Sequence, residues 1–214
     1  MRTPLFDDGV SAAQVSDSLD AAGVRGQVLD AVVRPLRRGM RAVGRAHTIQ
    51  FAPVERDEDD PYRDFIRFMD ALGSGDVAVV STGGNPRTAY WGELFSAAAK
   101  GRGAAGVVCD SYVRDSGRIL DLDFPVFSAG VRPLDYRARM RVVSVGEPVT
   151  CAGVRVAPGD IVLAEDDGVV VVPTAAQDDV VARANARARA ESTVLSELLA
   201  GATLGEVWAR HGVL

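Results

Sequence analysis

The sequence predicts an α/β fold, and three features of the chain indicate it. Short, nearly continuous apolar runs at 76–82, 104–110 and 124–130 are typical of buried parallel strands, and helical patterns lie between them. After residue 135 the chain becomes rich in Val, Gly and Pro with frequent turns, which predicts antiparallel strands and hairpins. A long helix is expected over 174–201, followed by a short one.

The remaining elements follow from their periodicity. A first helix is predicted over 11–23 with Ser11 as its N-cap, and the alternating segment 44–54 is typical of a strand. A further helix is expected over 88–103. The segment 62–72 predicts an amphipathic helix with one apolar face, formed by Phe65, Ile66, Met69 and Leu72.

Composition limits the classes of function. The 214 residues carry a net charge of −5, and the arginines are scattered among acidic residues, which argues against a nucleic-acid partner. The N-terminus has no apolar signal region, and no apolar run approaches the roughly 20 residues of a membrane span. Cys109 and Cys151 form no C-x-x-C pair and are expected to be buried thiols. We therefore expect a cytoplasmic protein of one domain, residues 1–214, without a membrane partner.

Candidate site residues follow the predicted buried strands, because ligands of open α/β sheets gather at the carboxyl ends of strands. The loops concerned are 81–87, 91–94 and 110–115. In the last loop, the Asp115 carboxylate suits a hard cation such as Mg²⁺, and the Arg114 guanidinium matches a carboxylate in bidentate geometry. Together they could bind a 2-oxo acid. A surface salt bridge is the alternative interpretation of the same pair.

Other chemistries lack their motifs. The glycines at 83 and 84 could let backbone amides approach an anion, but the chain carries no Walker phosphate loop, dinucleotide-binding loop or G-x-S-x-G elbow. The histidines are His47, in a predicted strand, and His211, near the C-terminus. A His-based metal cluster is therefore not predicted. Lys100 is the sole lysine, and its place at a helix end indicates a solvated charge rather than a Schiff-base nucleophile.

Three long segments, 81–115, 124–130 and 148–173, resemble the RraA-like family. The resemblance covers roughly residues 10–205, and its specific features are G-E-L, R-D about twenty residues later, P-G-D and D-D-G-V-V-V-V-P. The family includes 4-hydroxy-4-methyl-2-oxoglutarate aldolases, which also decarboxylate oxaloacetate, and RraA, a protein inhibitor of an endoribonuclease. It implies a swivelling β/β/α domain, an αββα sandwich with a long C-terminal helix, assembled as homotrimers or homohexamers with sites between subunits.

The resemblance also assigns the site. Asp115 corresponds to the ligand of a divalent metal, Mg²⁺ or Mn²⁺, and Arg114 to the substrate-binding arginine. Glu93 stands where the aldolases carry an acidic residue near the metal, and Glu191 corresponds to the acidic residue contributed by the adjacent subunit. The helix start that meets the substrate carboxylate corresponds to Gly92, Glu93 and Leu94.

The resemblance implies a metal-dependent class II aldolase or decarboxylase that acts on a pyruvate-type 2-oxo acid through an enolate. Arg114 would stabilise the developing charge, and a water held by Glu93 or Glu191 would transfer the proton. A non-catalytic ribonuclease regulator and an enzyme repurposed for another small acid are the alternatives. A methyltransferase is rejected, because no glycine-rich nucleoside loop is present. Ser111 and His47 depart from the family pattern and leave the substrate open.

Overall fold

The computed structural model describes residues 5–54, 56, 59–85 and 88–214. The helices of these residues are α1 (Ala12–Ala21), α2 (Arg63–Ala71), α3 (Glu93–Gly101), α4 (Ser116–Asp121), α5 (Gln177–Leu199) and α6 (Leu204–His211). The strands are β1 (Arg34–Pro35), β2 (Ala42–Pro53), β3 (Asp76–Ser81), β4 (Ala89–Trp91), β5 (Gly106–Cys109), β6 (Tyr112–Val113), β7 (Val126–Ser128), β8 (Gly130–Val131), β9 (Met140–Val145), β10 (Val149–Cys151), β11 (Val154–Val156), β12 (Ile161–Glu165) and β13 (Gly168–Val172). No helix of the described residues is both long and apolar enough to cross a membrane.

The main sheet has the strand order β1-β7-β5-β3-β2-β12-β13, with β9 also paired to β2. The strands β2, β3, β5 and β7 are parallel neighbours, whereas β1, β9, β12 and β13 pair in antiparallel fashion. The predicted parallel arrangement of the three buried apolar runs is therefore confirmed. The antiparallel pairing predicted after residue 135 is confirmed as well, since β10 and β11 also form a hairpin.

Helices cover the two outer faces of the folded sheet. Between them, the parallel strands pack against β12 and β13. Helices α2, α3 and α4 cover one face of the parallel strands, where Phe65, Ala99 and Ile119 are completely buried. The opposite face joins the inner face of β12 and β13 in a second apolar cluster. Helices α1 and α5 cover the outer face of these two strands through residues such as Leu19 and Val180. This order of layers is the predicted αββα sandwich.

The predicted ends of several elements are confirmed. Ser11 is the N-cap of α1, and its side chain accepts a hydrogen bond from the Gln14 amide while Gln14 bonds back to the Ser11 amide. The long C-terminal helix is present as α5, preceded by a 3-10 turn at Thr174–Ala176. Cys109 and Cys151 are buried free thiols, as predicted, and burial raises the pKa of both.

The apolar face predicted for α2 is wrong at one position. Phe65, Met69 and Leu72 are buried as expected, but 51% of Ile66 is exposed and Phe68 takes its place in the core. The buried positions follow the i, i+3, i+4, i+7 spacing of a single helix face, and position 66 lies about 100° away from it. Apolar residues of α2 are therefore buried or exposed according to the side of the helix on which they lie.

The helix predicted over 88–103 begins later than expected. Its first part is strand β4, whose Ala89 pairs with Tyr112 of β6, and the helix α3 begins only at Glu93. The change of direction is held by side chains, because the indole of Trp91 donates to the Ser96 hydroxyl at 2.8 Å. That hydroxyl donates in turn to the Gly92 carbonyl at 3.0 Å. Long-range strand pairing thus overrides a locally helical pattern.

The P-G-D turn before β12 has a structural function. The carboxylate of Asp160, 4% exposed, accepts hydrogen bonds from the Ala157 amide at 2.8 Å, the Thr174 amide at 2.8 Å and the Thr174 hydroxyl at 3.1 Å. It therefore joins the turn to the segment that leads into α5. Hydrogen bonds to a charged carboxylate are stronger than hydrogen bonds between neutral groups, so the three bonds hold the turn firmly to this segment.

We predict that Asp160→Ala lowers the free energy of unfolding by about 3 kcal/mol, since three donors lose a charged acceptor. Urea denaturation measures the effect. Asp70→Ala is the control, because Asp70 is exposed on α2, and its change is expected to stay within about 0.5 kcal/mol. Equal stabilities of the two variants would contradict the assigned function of Asp160.

Candidate active site

A small parallel sheet brings the candidate residues together. It consists of β4, β6 and β8, which continue the chain after β3, β5 and β7 of the main sheet. Because the three short strands are parallel, their carboxyl ends lie at one edge. The residues that follow them are Gly92–Glu93, Arg114–Asp115 and 132–135.

Gly92 lies in close contact with the Arg114–Asp115 pair. The Arg114 amide donates to the Trp91 carbonyl at 2.9 Å, which places the two strand ends side by side. A Cβ atom at position 92 would lie 2.8 Å from Asp115 Oδ2 and 3.2 Å from the Arg114 Cγ. With the Asp115 carboxylate in this position only glycine fits at 92, although its φ of −160° would be accessible to any residue, and a larger residue would displace the carboxylate.

Asp115 adopts an unusual backbone conformation. Its φ of 60° and ψ of 33° are left-handed, which costs most L residues about 1–2 kcal/mol, although Asp tolerates it better than most. The side chain is 44% exposed, and its Oδ2 lies 3.4 Å from the Glu93 amide and 3.8 Å from Arg114 Nε. Strained residues of this kind gather at functional sites. The strained backbone aims the carboxylate at the start of α3.

Glu93 and Leu94 open α3 beside this carboxylate. Glu93 forms an ion pair with Arg118 of α4 at 3.0 Å, and this hydrogen bond raises the pKa of Arg118. Leu94 is 79% exposed. Gly92 is the N-cap of α3 and provides no side-chain hydrogen bond, and the Glu93 amide has only the long 3.4 Å contact to Asp115 Oδ2, so the first turn of the helix can also approach an anion.

Arg114 lies between two carboxylates, one of which the sequence interpretation missed. Its side chain is 35% exposed, and its NH1 lies 3.5 Å from Oδ2 of Asp135. The same Oδ2 accepts a hydrogen bond from the Tyr62 hydroxyl, and burial together with the Asp135 charge raises the pKa of Tyr62. Asp135 follows the third buried run, 124–130, by a few residues. Applying the strand-end rule to that run as well would have identified it.

The glycine turn after β3 binds an anion of the protein itself. The Asp110 carboxylate accepts hydrogen bonds from the Thr82 amide at 2.8 Å, the Thr82 hydroxyl at 2.6 Å and the Gly84 amide at 3.2 Å. The Ser111 hydroxyl donates to the Asn85 carbonyl and lies 3.3 Å from the Thr88 carbonyl. The Gly84 amide therefore approaches an anion, as the sequence suggested, and this anion is the Asp110 carboxylate. Positions 86 and 87 of the predicted loop lie outside the described residues.

Glu191 is not part of this cluster within one chain. It lies on α5, where it forms an ion pair with Arg187 at 2.6 Å and accepts a hydrogen bond from the Gln14 amide group of α1 at 2.7 Å. In the described part of the chain, the structure thus joins Gly92, Glu93, Arg114 and Asp115, with Leu94 alongside, and places Glu191 on the α1–α5 layer.

His47 is a strand residue, as predicted, but its hydrogen bonding is incomplete. Its ring stacks on Phe68 with centroids 4.7 Å apart, and its Nε2 is buried without a hydrogen-bond partner among the described residues. Burial lowers the pKa of His47 below its ordinary value of 6.5. The folded protein therefore favours the neutral ring, and stability from this residue is lost as the pH falls below that ordinary value.

We predict that Gly92→Ala lowers the free energy of unfolding by about 1–3 kcal/mol, because the added methyl group meets the Asp115 carboxylate. Gly117→Ala is a matched control in α4, since a Cβ there meets no atom within 4 Å of the described structure. It should raise stability by about 0.5–1 kcal/mol. Chemical denaturation compares the two, and a Gly92→Ala protein as stable as wild type would contradict the close approach.

We predict that the free energy of unfolding decreases from about pH 7.5 to about pH 5.5, and that His47→Phe reduces this dependence. Phenylalanine keeps the stacked ring and takes up no proton. Urea titrations at several pH values measure the slope, and His211→Gln is the control that retains His47. Identical slopes for wild type and His47→Phe would show that His47 takes up no extra proton on unfolding.

Within the described residues, no group of three or more His, Cys, Asp or Glu side chains is arranged to hold a metal ion. A site with a single carboxylate is of a different kind, because Mg²⁺ is often held by one or two carboxylates, with waters and substrate oxygens completing its shell. The Asp115 side chain is part-exposed, and its Oδ2 makes the contacts to the Glu93 amide and to Arg114 Nε. Asp115 therefore fits a cation of this type.

Comparison with known proteins identifies the family of the chain. A family model described as RraA-like, Aldolase/RraA, matches residues 12–171. Protein DlpA of Legionella pneumophila is 30% identical over 194 residues, and this chain covers only 31% of its length. A protein of Halalkalibacterium halodurans named "putative 4-hydroxy-4-methyl-2-oxoglutarate aldolase" is 29% identical, with 79% of this chain and 76% of that protein covered.

The solved structures include a close match in fold. The crystal structure of Streptomyces coelicolor RraAS2, described as an unusual member of the RNase ES inhibitor RraA protein family, matches with a TM-score of 0.80 and 29% identity. The match covers 87% of this chain and 93% of that chain. The family model alone spans well over half of the residues. This chain belongs to the RraA-like family.

Proposed function

We propose that this protein is a divalent-metal-dependent carbon–carbon lyase that acts on a pyruvate-type 2-oxo acid. The proposed substrates are 4-hydroxy-4-methyl-2-oxoglutarate, which would be cleaved by a retro-aldol reaction, and oxaloacetate, which would be decarboxylated. The observation that carries the proposal is the juxtaposition of Asp115, Arg114 and the amide-rich start of α3 at Gly92. It offers a cation ligand, a guanidinium group and the first amides of a helix at one place.

Asp115 would hold the cation, Mg²⁺ or Mn²⁺. Its carboxylate is part-exposed and approaches the protein backbone where only a glycine leaves room. When bound, such a cation supplies Lewis-acid stabilisation of negative charge on the keto oxygen.

The carboxylate of the oxo acid would be bound by two sets of donors. Arg114 presents a planar fork of N–H groups suited to a carboxylate. The amides of Glu93 and Leu94 open a nine-residue helix whose positive dipole end faces the same place. Cleavage of the carbon–carbon bond leaves an enolate, and the Arg114 charge stabilises it.

Proton transfer is assigned to water held by a carboxylate, Glu93 or Glu191. Glu93 lies at the site but is paired with Arg118. Glu191 lies on the other layer of the same chain, so its participation requires a neighbouring copy that presents α5 to the site. We therefore propose a homotrimer or homohexamer with sites between subunits. The large exposure of Leu94 at the edge of the site supports this assembly.

Regulation of a ribonuclease is the second candidate function, because RraAS2 is described as belonging to an inhibitor family and matches this fold closely. The complete cluster of Gly92, Glu93, Arg114 and Asp115 favours catalysis. A regulator needs a surface for its partner and does not require a strained carboxylate beside a helix start.

We predict that the protein releases pyruvate from at least one of the two substrates with Mg²⁺ or Mn²⁺, and that EDTA abolishes the release until the metal is restored. Asp115→Ala should lower kcat/KM by about 10²–10³-fold, the loss typical of removing one electrostatic contact in a transition state. A coupled lactate dehydrogenase assay measures pyruvate.

Asp121→Ala is the control for this experiment, because Asp121 is an exposed residue at the end of α4, the helix that Asp115 begins. Its activity should remain close to that of wild type. Activity that survives EDTA would exclude the metal-dependent mechanism. Inactivity on both acids, together with tight binding of a ribonuclease, would favour the regulatory function.

A further inference from the structure

Asp135 and Tyr62 form a hydrogen-bonded network that reaches Arg114. Neither residue belongs to the motifs by which the chain resembles the RraA-like family. Asp135 lies in the loop after β8, and its backbone is placed next to β4 by a bridge to Ala89. Its Oδ1 accepts a hydrogen bond from the Tyr136 amide at 2.8 Å. Its Oδ2 accepts from the Tyr62 hydroxyl and lies 3.5 Å from Arg114 NH1. Oδ1 of Asp135 is therefore held by a backbone amide, whereas Oδ2 faces two donors, the Tyr62 hydroxyl and the Arg114 guanidinium.

Two tyrosines join the start of α2 to this loop in both directions. Tyr62, the N-cap of α2, donates its hydroxyl to Asp135, and Tyr136 donates its hydroxyl to the Pro61 carbonyl at 3.1 Å. Their rings are in edge contact, with centroids 5.4 Å apart. Only the first of these hydroxyl groups bonds to the carboxylate that faces Arg114. The second bonds to backbone.

We infer that Asp135 is a positioning residue for Arg114, and that the Tyr62 hydroxyl adjusts how strongly Asp135 holds the guanidinium. The inference rests on the proposed function, in which Arg114 binds the oxo acid.

The physical basis is competition for one oxygen. A carboxylate that held Arg114 in a full bidentate pair would compete with the carboxylate of the substrate. Because the Tyr62 hydroxyl occupies Oδ2, Asp135 attracts NH1 at 3.5 Å without forming a short hydrogen bond. Arg114 is thereby oriented on one side by Asp135 and on the other by Asp115, at 3.8 Å, with N–H donors left for a ligand.

Removal of the Asp135 charge and removal of the Tyr62 hydroxyl should have opposite effects on how tightly Arg114 is held. In Asp135→Asn the guanidinium loses an anionic partner and becomes freer. In Tyr62→Phe the Oδ2 atom loses its donor, while Oδ1 remains held by the Tyr136 amide, so Asp135 should bind Arg114 more tightly. Tyr136→Phe is the matched control, because it removes a tyrosine hydroxyl from the same contact region without affecting the partner of Arg114.

The first measurement does not depend on catalysis. Phenylglyoxal modifies arginine guanidinium groups, and peptide mass spectrometry gives the rate at Arg114 relative to the exposed Arg183. We expect Asp135→Asn to raise the Arg114 rate about 2- to 5-fold, the range for loss of a part-exposed ion pair. Tyr62→Phe should lower the rate, and Tyr136→Phe should leave it unchanged. An Arg114 rate that is equal in wild type and Asp135→Asn would overturn the inference.

The second measurement is steady-state kinetics with oxaloacetate. Asp135→Asn should lower kcat/KM by about 10-fold, as expected when a partner that orients a binding group is lost. Tyr62→Phe should raise KM with little change in kcat, and Tyr136→Phe should change neither. If the wild-type protein cleaves neither oxo acid, the proposed function fails, and the phenylglyoxal rates still decide the arrangement of Asp135, Tyr62 and Arg114.

Discussion

The approach of the Asp115 carboxylate to the backbone of Gly92 is the contact on which the candidate site depends. It requires glycine at one strand end and a left-handed backbone at the other, and it occurs because β4 and β6 are parallel neighbours. A larger residue at position 92 would displace the carboxylate from the start of α3. The strain at Asp115 is thus maintained by strand pairing around it, as expected where a fold holds a functional group in an unfavourable conformation.

Buried polar groups fix the small sheet relative to the main one. Asp110 closes the turn after β3 by accepting three hydrogen bonds, and the Ser111 hydroxyl donates to the Asn85 carbonyl and lies close to the Thr88 carbonyl. Unpaired buried groups are costly, so these bonds favour one arrangement of the turn over others. The serine that departs from the family pattern therefore has a local structural explanation. It contacts Thr88, the residue before β4, the strand that leads to Gly92.

The site combines two types of support. Asp115 and the start of α3 are held by the backbone, whereas Arg114 is a long side chain whose direction depends on the carboxylates on either side of it. An arginine fork binds a planar acid well only when its orientation is limited in advance. The tyrosine contacts at the start of α2 thus connect the packing of a helix to the guanidinium group. The same layer places Phe65 and Phe68 in the core beneath them.

Local sequence patterns predict the α/β class, the N-cap of α1 and the long C-terminal helix, and they place the Arg114–Asp115 pair after a buried strand. Periodicity, capping residues and strand-end positions are all properties of neighbouring residues. Three features required the tertiary structure. Strand β4 exists because Ala89 and Trp91 pair with β6, and a locally helical segment gives no sign of that partner. Asp135 and Tyr62 are 73 residues apart, and only packing brings them to Arg114. The space at Gly92 likewise depends on a carboxylate more than twenty positions away, since sequence determines which groups are present and long-range pairing determines which of them meet.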